Sequence, residues 1–219
     1  MVAAHCACSG VSLDCDKVNA VGNVWRDMVV VGASAGGVQA LSALFSDLPP
    51  KVPIAFFVVL HVPPHCQSRL PSILERTARL PAEHPRDGEK IRSGRIYVAP
   101  PDVHLMIGKG VVRLSHGPLE HHTRPAIDPL FRSAAQVYGR RVVGVLLSGS
   151  SSDGGAGLKE IKRHGGLAIV QDAAEAMFSE MPQKALANVD VDYCLPVAKI
   201  RDLVMRWPVS LRMPMPPPA

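Results

Sequence analysis

Apolar residues fall into two kinds of run along this chain. The first kind is short, continuous and rich in β-branched residues, at 28–31, 54–60, 142–147 and 167–170. Such runs, bounded by turn residues, predict strands buried on both faces, as in a parallel sheet. The second kind recurs at helical spacing. Val38, Leu41, Leu44, Phe45 and Leu48 form one stripe, and Ile127, Leu130, Phe131, Ala134, Val137 and Tyr138 a second. Leu158 with Ile161, and Ile200, Leu203, Val204 and Trp207, mark two more. These stripes predict helices packed on the sheet. Met181-Pro182-Gln183 predicts a further helix start, since proline is tolerated in a first turn. The runs 103–107 and 111–114, joined through Gly108-Lys109-Gly110, predict a β-hairpin. The alternation predicts an α/β fold: a three-layer, doubly wound, mostly parallel sheet with helices on both faces and a β-hairpin insertion.

One domain is expected over residues 25–207. Residues 1–24 lack periodicity and predict a flexible tail. They hold His5, Cys6, Cys8 and Cys15, a spacing that matches no tetrahedral zinc pattern, so no metal is expected. They also lack the basic start and apolar stretch of a secretory signal. Residues 208–219, ending in Pro214-Met215-Pro216-Pro217-Pro218-Ala219, cannot continue a helix and predict a disordered tail.

Composition narrows the function classes. A chain of 219 residues with 47% hydrophobic and 20% charged residues can bury a sizeable core. Its apolar runs fall well short of the ~20 residues that span a bilayer, so no membrane insertion is expected. The net charge of +5 admits nucleic acid, but aromatics are only 5% and the Lys and Arg are scattered, which argues against it. Attraction to acidic protein surfaces is the simpler reading. Five cysteines, an odd number with no framework spacing, predict reduced thiols in the cytoplasm.

The candidate chemistry lies at strand ends. Gly32-Ala33-Ser34-Ala35-Gly36-Gly37 follows the first strand and opens the first helix. Glycines there permit a sharp turn and close approach by a substrate. The following helix offers free N–H groups and its positive dipole end to an anion. A dinucleotide loop wants glycine where Ser34 stands, and a P-loop wants Gly-Lys-Ser/Thr; the segment instead fits G-x-S-x-G, a serine-nucleophile turn. A serine needs an imidazole to take its proton and a carboxylate to orient that imidazole. His61 ends the second buried strand, and Asp153 lies in Ser148-Gly149-Ser150-Ser151-Ser152-Asp153-Gly154-Gly155, just past another. All three therefore project towards one edge of the sheet. His65 is a second candidate base, but it lies beyond Pro63-Pro64, whereas His61 directly terminates the strand. Asp153 also reads as an N-cap for the helix carrying Leu158. His84, His116 and the His121-His122 pair, among nine histidines, fall in polar loops and read as solvated. The order Ser, His, Asp, with the serine after the first strand, sets the chain apart from ordinary α/β-hydrolases.

These residues resemble the catalytic domain of the bacterial chemotaxis methylesterase family, CheB, over about residues 28–203. The resemblance rests on Val30-Val31-Gly32-Ala33-Ser34-Ala35-Gly36-Gly37, on His61-Val62-Pro63-Pro64, and on the segments 94–104 and 124–135. It continues through the aspartate loop at 148–157, Gln171-Asp172 and Met181-Pro182. It implies hydrolysis of γ-glutamyl methyl esters on chemoreceptor cytoplasmic domains, with glutamine deamidation as a second acyl transfer. Ser34 would be the nucleophile, His61 the base and acid, and Asp153 the orienting carboxylate, without metal or organic cofactor. Ala35, Ser150 and Ser151 are the candidate oxyanion and substrate contacts.

Four positions depart from the family's pattern. Glycine and methionine are usual around Ser150 and Ser151, threonine at Ala35, and a polar residue at Leu60. Serine keeps its backbone N–H but not glycine's conformational range, and one lost oxyanion donor costs roughly 3 kcal/mol. The family's receiver domain also has no counterpart in the 27 residues before the first strand. The expectation is a stand-alone esterase, either constitutively active or controlled by a separate response-regulator or kinase partner. Two other classes stay open: a non-catalytic adaptor that kept the fold, and a dinucleotide-binding oxidoreductase using the 32–37 turn.

Overall fold

The computed structural model describes residues 25–49 and 51–206. The tails expected at 1–24 and 208–219, and Trp207, lie outside the described residues. The strands are β1 (Met28–Ala33), β2 (Ala55–Leu60), β3 (Ala82–Glu83), β4 (Arg95–Val98), β5 (His104–Gly108), β6 (Val111–Ser115), β7 (Val142–Leu146), β8 (Leu167–Gln171) and β9 (Tyr193–Leu195). The helices are α1 (Gly37–Phe45), α2 (Leu70–Ala78), α3 (Ile127–Tyr138), α4 (Gly155–Arg163), α5 (Glu180–Asn188) and α6 (Val197–Arg206).

Seven strands make one sheet in the order β3-β4-β2-β1-β7-β8-β9, parallel throughout. Among the described residues, antiparallel pairing between strands occurs in the β5–β6 hairpin, which forms a separate two-stranded sheet as predicted, with isolated antiparallel bridges at Lys90–Val111 and Glu120–Thr123. The continuous apolar strands follow from a sheet covered on both sides. On β1, Val29, Val31 and Ala33 join one core with Leu41, Leu44, Phe45, Leu74, Ile200 and Leu203. Met28 and Val30 join the other, with Ile127, Leu130, Phe131, Leu158, Ile161 and Met181. One helix layer is thus α1, α2 and α6; the other is α3, α4 and α5, with the hairpin.

Two residues leave their expected faces. Val38 and Val137 match the helical spacing of their stripes, yet both are exposed. Val38 lies in the first turn of α1 and Val137 in the last turn of α3. β3, β4, β9 and α2 are additions to the predicted elements; β3 has two residues and β9 three, too few to show a period.

The central strand β1 is flanked by β2 on one side and β7 on the other. The order of strands reverses there, so the carboxyl ends of β1, β2 and β7 border the crevice where ligands bind in this architecture.

Candidate active site

Ser34 is the first residue past β1. Gly36, the N-cap of α1, turns the chain at φ 71°, a left-handed conformation that glycine adopts without steric cost. The turn is closed by Gly37 N–H donating to the Ser34 carbonyl at 2.8 Å, and tied across the crevice by Ser34 N–H donating to the Ser148 carbonyl at 2.9 Å.

His61 directly follows β2, and its N–H donates to the Ala33 carbonyl at 3.1 Å, which extends the β1–β2 ladder to the site. Its Nδ1 lies 3.1 Å from Ser34 Oγ and its Nε2 lies 2.8 Å from Asp153 Oδ2. The ring is thus turned opposite to the usual serine-protease arrangement, in which Nε2 faces the serine. For Nδ1 to accept the serine proton, the neutral ring must carry its hydrogen on Nε2, where Asp153 accepts it. His65, the other candidate base, is exposed and has no bond to any of these groups.

Asp153 is fully buried. It does not cap α4; Gly154 stands there without a side-chain cap bond. Its carboxylate instead caps α3 from across the crevice. Oδ2 accepts from Ile127 N–H at 2.6 Å, and Oδ1 from Asp128 N–H at 3.0 Å and Gly154 N–H at 2.8 Å. Burial is the largest single influence on this carboxyl and pushes its pKa up; the bond to His61 and the backbone N–H groups together outweigh it, and the net shift is downward. The positive end of α3 acts in the same direction.

A second histidine–carboxylate pair adjoins the first. His121 Nε2 lies 2.9 Å from Asp128 Oδ2 and 3.8 Å from Asp153 Oδ1. Asp128 Oδ1 accepts from Gly157 N–H at 2.6 Å. His121 is thus tied to the site rather than simply solvated, and it reaches there from a left-handed backbone, φ 49°. The Glu120–Arg132 ion pair fastens that turn to α3. Burial raises the pKa of Asp128, and the neighbouring Asp153 charge raises it further. His121, Asp128 and Asp153 bring ligand atoms within 4.8 Å of one another. Both Asp153 oxygens and Asp128 Oδ1 already accept from backbone N–H groups at the positive ends of helices, and Asp128 Oδ2 faces only His121, a setting that does not favour a cation.

Sequence reasoning missed Ser148 and Gln171. Ser148 is buried; its N–H donates to Gln171 Oε1 at 2.8 Å, and its Oγ donates to the Ala35 carbonyl at 2.8 Å and accepts from Phe178 N–H at 3.0 Å. One hydroxyl therefore joins the serine turn, the aspartate loop and the segment before α5. A polar residue directly after a buried strand was the available signal. Gly149 packs where a Cβ would stand 2.9 Å from Ser34 Cβ and 2.6 Å from Met181 Cε.

The candidate oxyanion contacts fall around this network. Ser34 N–H and Gly149 N–H are already engaged, the latter by the Phe178 carbonyl at 2.9 Å. The N–H groups of Ala35, Ser150 and Ser151 donate to no partner among the described residues. Neither Ser150 nor Ser151 adopts a left-handed backbone, so serine carries no conformational cost there in place of glycine. Ser150 is exposed; Ser151 Oγ lies between Asp153 N–H, at 3.2 Å, and Met181 Sδ, at 3.4 Å.

The profile of the CheB methylesterase family matches residues 29–204. The chain belongs to the CheB methylesterase family. Its fold resembles the crystal structure of the Thermotoga maritima CheB methylesterase catalytic domain, with a TM-score of 0.78 at 32% identity, over 83% of this chain and 98% of that one. A protein of Leptospira interrogans is 39% identical over 82% of this chain and 94% of its own length. Two relatives named protein-glutamate methylesterase/protein-glutamine glutaminase come from Pyrococcus abyssi and Anaeromyxobacter dehalogenans. The first is 36% identical over 83% of this chain, the second 42% over 80%. This chain spans about half of each, 50% and 51%. CheB membership removes the dinucleotide reading of the 32–37 turn. Among the described residues, no helix is long and apolar enough to cross a membrane.

Proposed function

We propose that this chain is a cytoplasmic serine hydrolase that removes methyl esters from glutamate side chains of chemoreceptor cytoplasmic domains. The observation that carries the reading is the unbroken line from Ser34 Oγ through His61 to Asp153, at 3.1 and 2.8 Å. Ser34 Oγ attacks the ester carbonyl carbon while His61 Nδ1 takes the hydroxyl proton. Asp153 holds the Nε2 hydrogen and stabilises the imidazolium. The tetrahedral oxyanion lies against the N–H groups of Ala35 and of Ser150 or Ser151, which are otherwise unengaged. Collapse breaks the C–O bond to the methoxy group, His61 Nδ1–H protonates it, and methanol leaves. Water, deprotonated by the same nitrogen, attacks the acyl-serine and releases glutamate. A glutamine amide follows the same path with ammonia as leaving group, in keeping with the glutaminase activity in the relatives' names.

No organic cofactor enters this scheme. A response-regulator or kinase partner is the candidate controller of this site. The test is methanol release from a methylated chemoreceptor cytoplasmic fragment, with wild type beside Ser34→Ala. Release by wild type alone supports the reading. Equal release by both proteins overturns the assignment of Ser34, and none from either overturns the esterase.

A further inference from the structure

His104 is a buried titratable side chain, 3% exposed, that the proposed chemistry does not use. It opens β5 and pairs with Ser115 across the hairpin. Both ring nitrogens are engaged. Nδ1 accepts from Ala126 N–H at 3.2 Å, and Nε2 lies 2.9 Å from the Pro118 carbonyl. A ring nitrogen that accepts carries no hydrogen, so the hydrogen is on Nε2 and is donated to Pro118.

Ala126 is the N-cap of α3, and alanine has no side chain with which to cap a helix. Three consecutive N–H groups emerge at this end. His104 accepts the first. Asp153 accepts the next two, Ile127 N–H on Oδ2 at 2.6 Å and Asp128 N–H on Oδ1 at 3.0 Å. Adjacent peptide planes share one Cα and only two soft dihedrals, so an anchored Ala126 N–H constrains where Ile127 N–H points. The donors that aim Asp153 at His61 are therefore set from the hairpin side by one imidazole.

That imidazole is clasped in turn. Arg124 Nε and Nη2 donate to Asp102 Oδ1, at 2.9 and 2.7 Å, in the turn before β5. Arg124 Nη1 donates to the His116 and Gly117 carbonyls, at 3.1 and 2.7 Å, next to Pro118. Asp102 N–H donates back to the Arg124 carbonyl at 3.1 Å. A second tie between hairpin and helix lies in the second turn of α3, where Ser133 Oγ accepts from Ile107 N–H at 3.0 Å. The Ser133 hydroxyl donates to the Leu130 carbonyl, away from Asp153.

We propose that His104 is a positioning residue for the triad: its Nδ1 sets the first turn of α3, whose N–H groups hold the Asp153 carboxylate in line with His61. The inference rests on the triad of the esterase reading and adds the group that orients its carboxylate.

Two variants separate the two bonds of the ring. Asparagine can place Oδ1 where His104 Nδ1 stands, so His104→Asn keeps the acceptor for Ala126 and loses the donor to Pro118. Glutamine can place Nε2 where the ring Nε2 stands, so His104→Gln keeps the donor and loses the acceptor. Ser133→Ala gives up the tie to Ile107. Each variant forfeits one buried bond, and thermal melting compares their folds. Fluorophosphonate labelling of Ser34, followed against reagent concentration, should keep its half-saturation in all three. Its maximal rate should fall roughly 10–100-fold in His104→Gln and stay near wild type in His104→Asn and Ser133→Ala. The proton NMR resonance of the hydrogen shared by His61 Nε2 and Asp153 should shift or broaden in His104→Gln and persist in the other two. Equal rates in the two His104 variants overturn the inference, and so does a loss in Ser133→Ala as large as that in His104→Gln. If wild type is not labelled, the assignment of the nucleophile fails and the resonance alone decides: its survival unchanged in His104→Gln overturns the inference. A wild type that is labelled but releases no methanol from a methylated receptor fragment overturns the esterase reading alone and leaves the role of His104 standing.

Discussion

The two histidine–carboxylate pairs at the catalytic edge have nearly the same length and opposite electrostatics. His61–Asp153 is 2.8 Å and His121–Asp128 is 2.9 Å, and both carboxylates are buried. Yet the Asp153 pKa is lowered and that of Asp128 is raised. The difference lies in the backbone. Asp153 accepts from the N–H groups of Ile127, Asp128 and Gly154, whereas Asp128 accepts only from that of Gly157 and lies beside a charge of its own sign. A hydrogen bond to histidine therefore does not by itself decide how a buried carboxylate ionises. The number of oriented donors and the nearest charge do.

The same substitution applied to both pairs separates them most strongly. Asp153→Asn sets an amide NH2 against backbone donors, because both carboxylate positions are filled by N–H groups. Hydrolysis should fall about 10⁴-fold, read as kcat on any ester the enzyme accepts. Asp128→Asn keeps an oxygen for Gly157 N–H and turns its NH2 to His121, whose ring can present a lone pair. Asp128 also holds Asp153 through its main chain, which the substitution spares. Activity should stay within about tenfold of wild type. Equal losses in the two variants would remove the distinction drawn here.

Ser148→Ala sharpens the role of the network that joins the two loops. It removes the donor to the Ala35 carbonyl and the acceptor of Phe178 N–H, and costs about 2 kcal/mol of stability, measured by denaturant unfolding. No loss would mean that the serine turn and the aspartate loop are held together without it.

The smallest effect is a pH dependence of stability. A carboxyl whose pKa is raised by folding stabilises the fold most below its unfolded pKa, near 4, and that contribution is lost as pH rises through the folded value. Asp128→Asn lacks this titration. Its melting temperature relative to wild type should therefore rise from acid towards neutral pH. Asp153 has the opposite sign: its contribution is present above its unfolded pKa and is lost as pH falls through the lowered folded value. A difference between Asp128→Asn and wild type that falls with pH would contradict the burial argument.

The parallel sheet was legible because residues 28–31, 54–60 and 142–147 are apolar without alternation, which only a doubly covered strand requires. The three central site residues were legible because each lies just past such a strand, where topology alone brings them to one edge. His121 was not. Its role depends on a left-handed turn and on an aspartate in the first turn of α3, and neither has a period or a spacing. Ser148 and Gln171 were hidden for a related reason: their partners are far apart in sequence and meet only once β7 and β8 pair. Val38 and Val137 show the converse, positions that keep the helical spacing of a buried stripe and yet stay exposed.

The central claim is that His61 and Asp153 activate Ser34. Labelling with a fluorophosphonate, followed by peptide mass spectrometry, tests it without any need to know the receptor. The account predicts a single adduct on the peptide that contains Ser34 in wild type, and none in His61→Ala at the same exposure. An adduct on another residue, or equal labelling of Ser34 without His61, would contradict it.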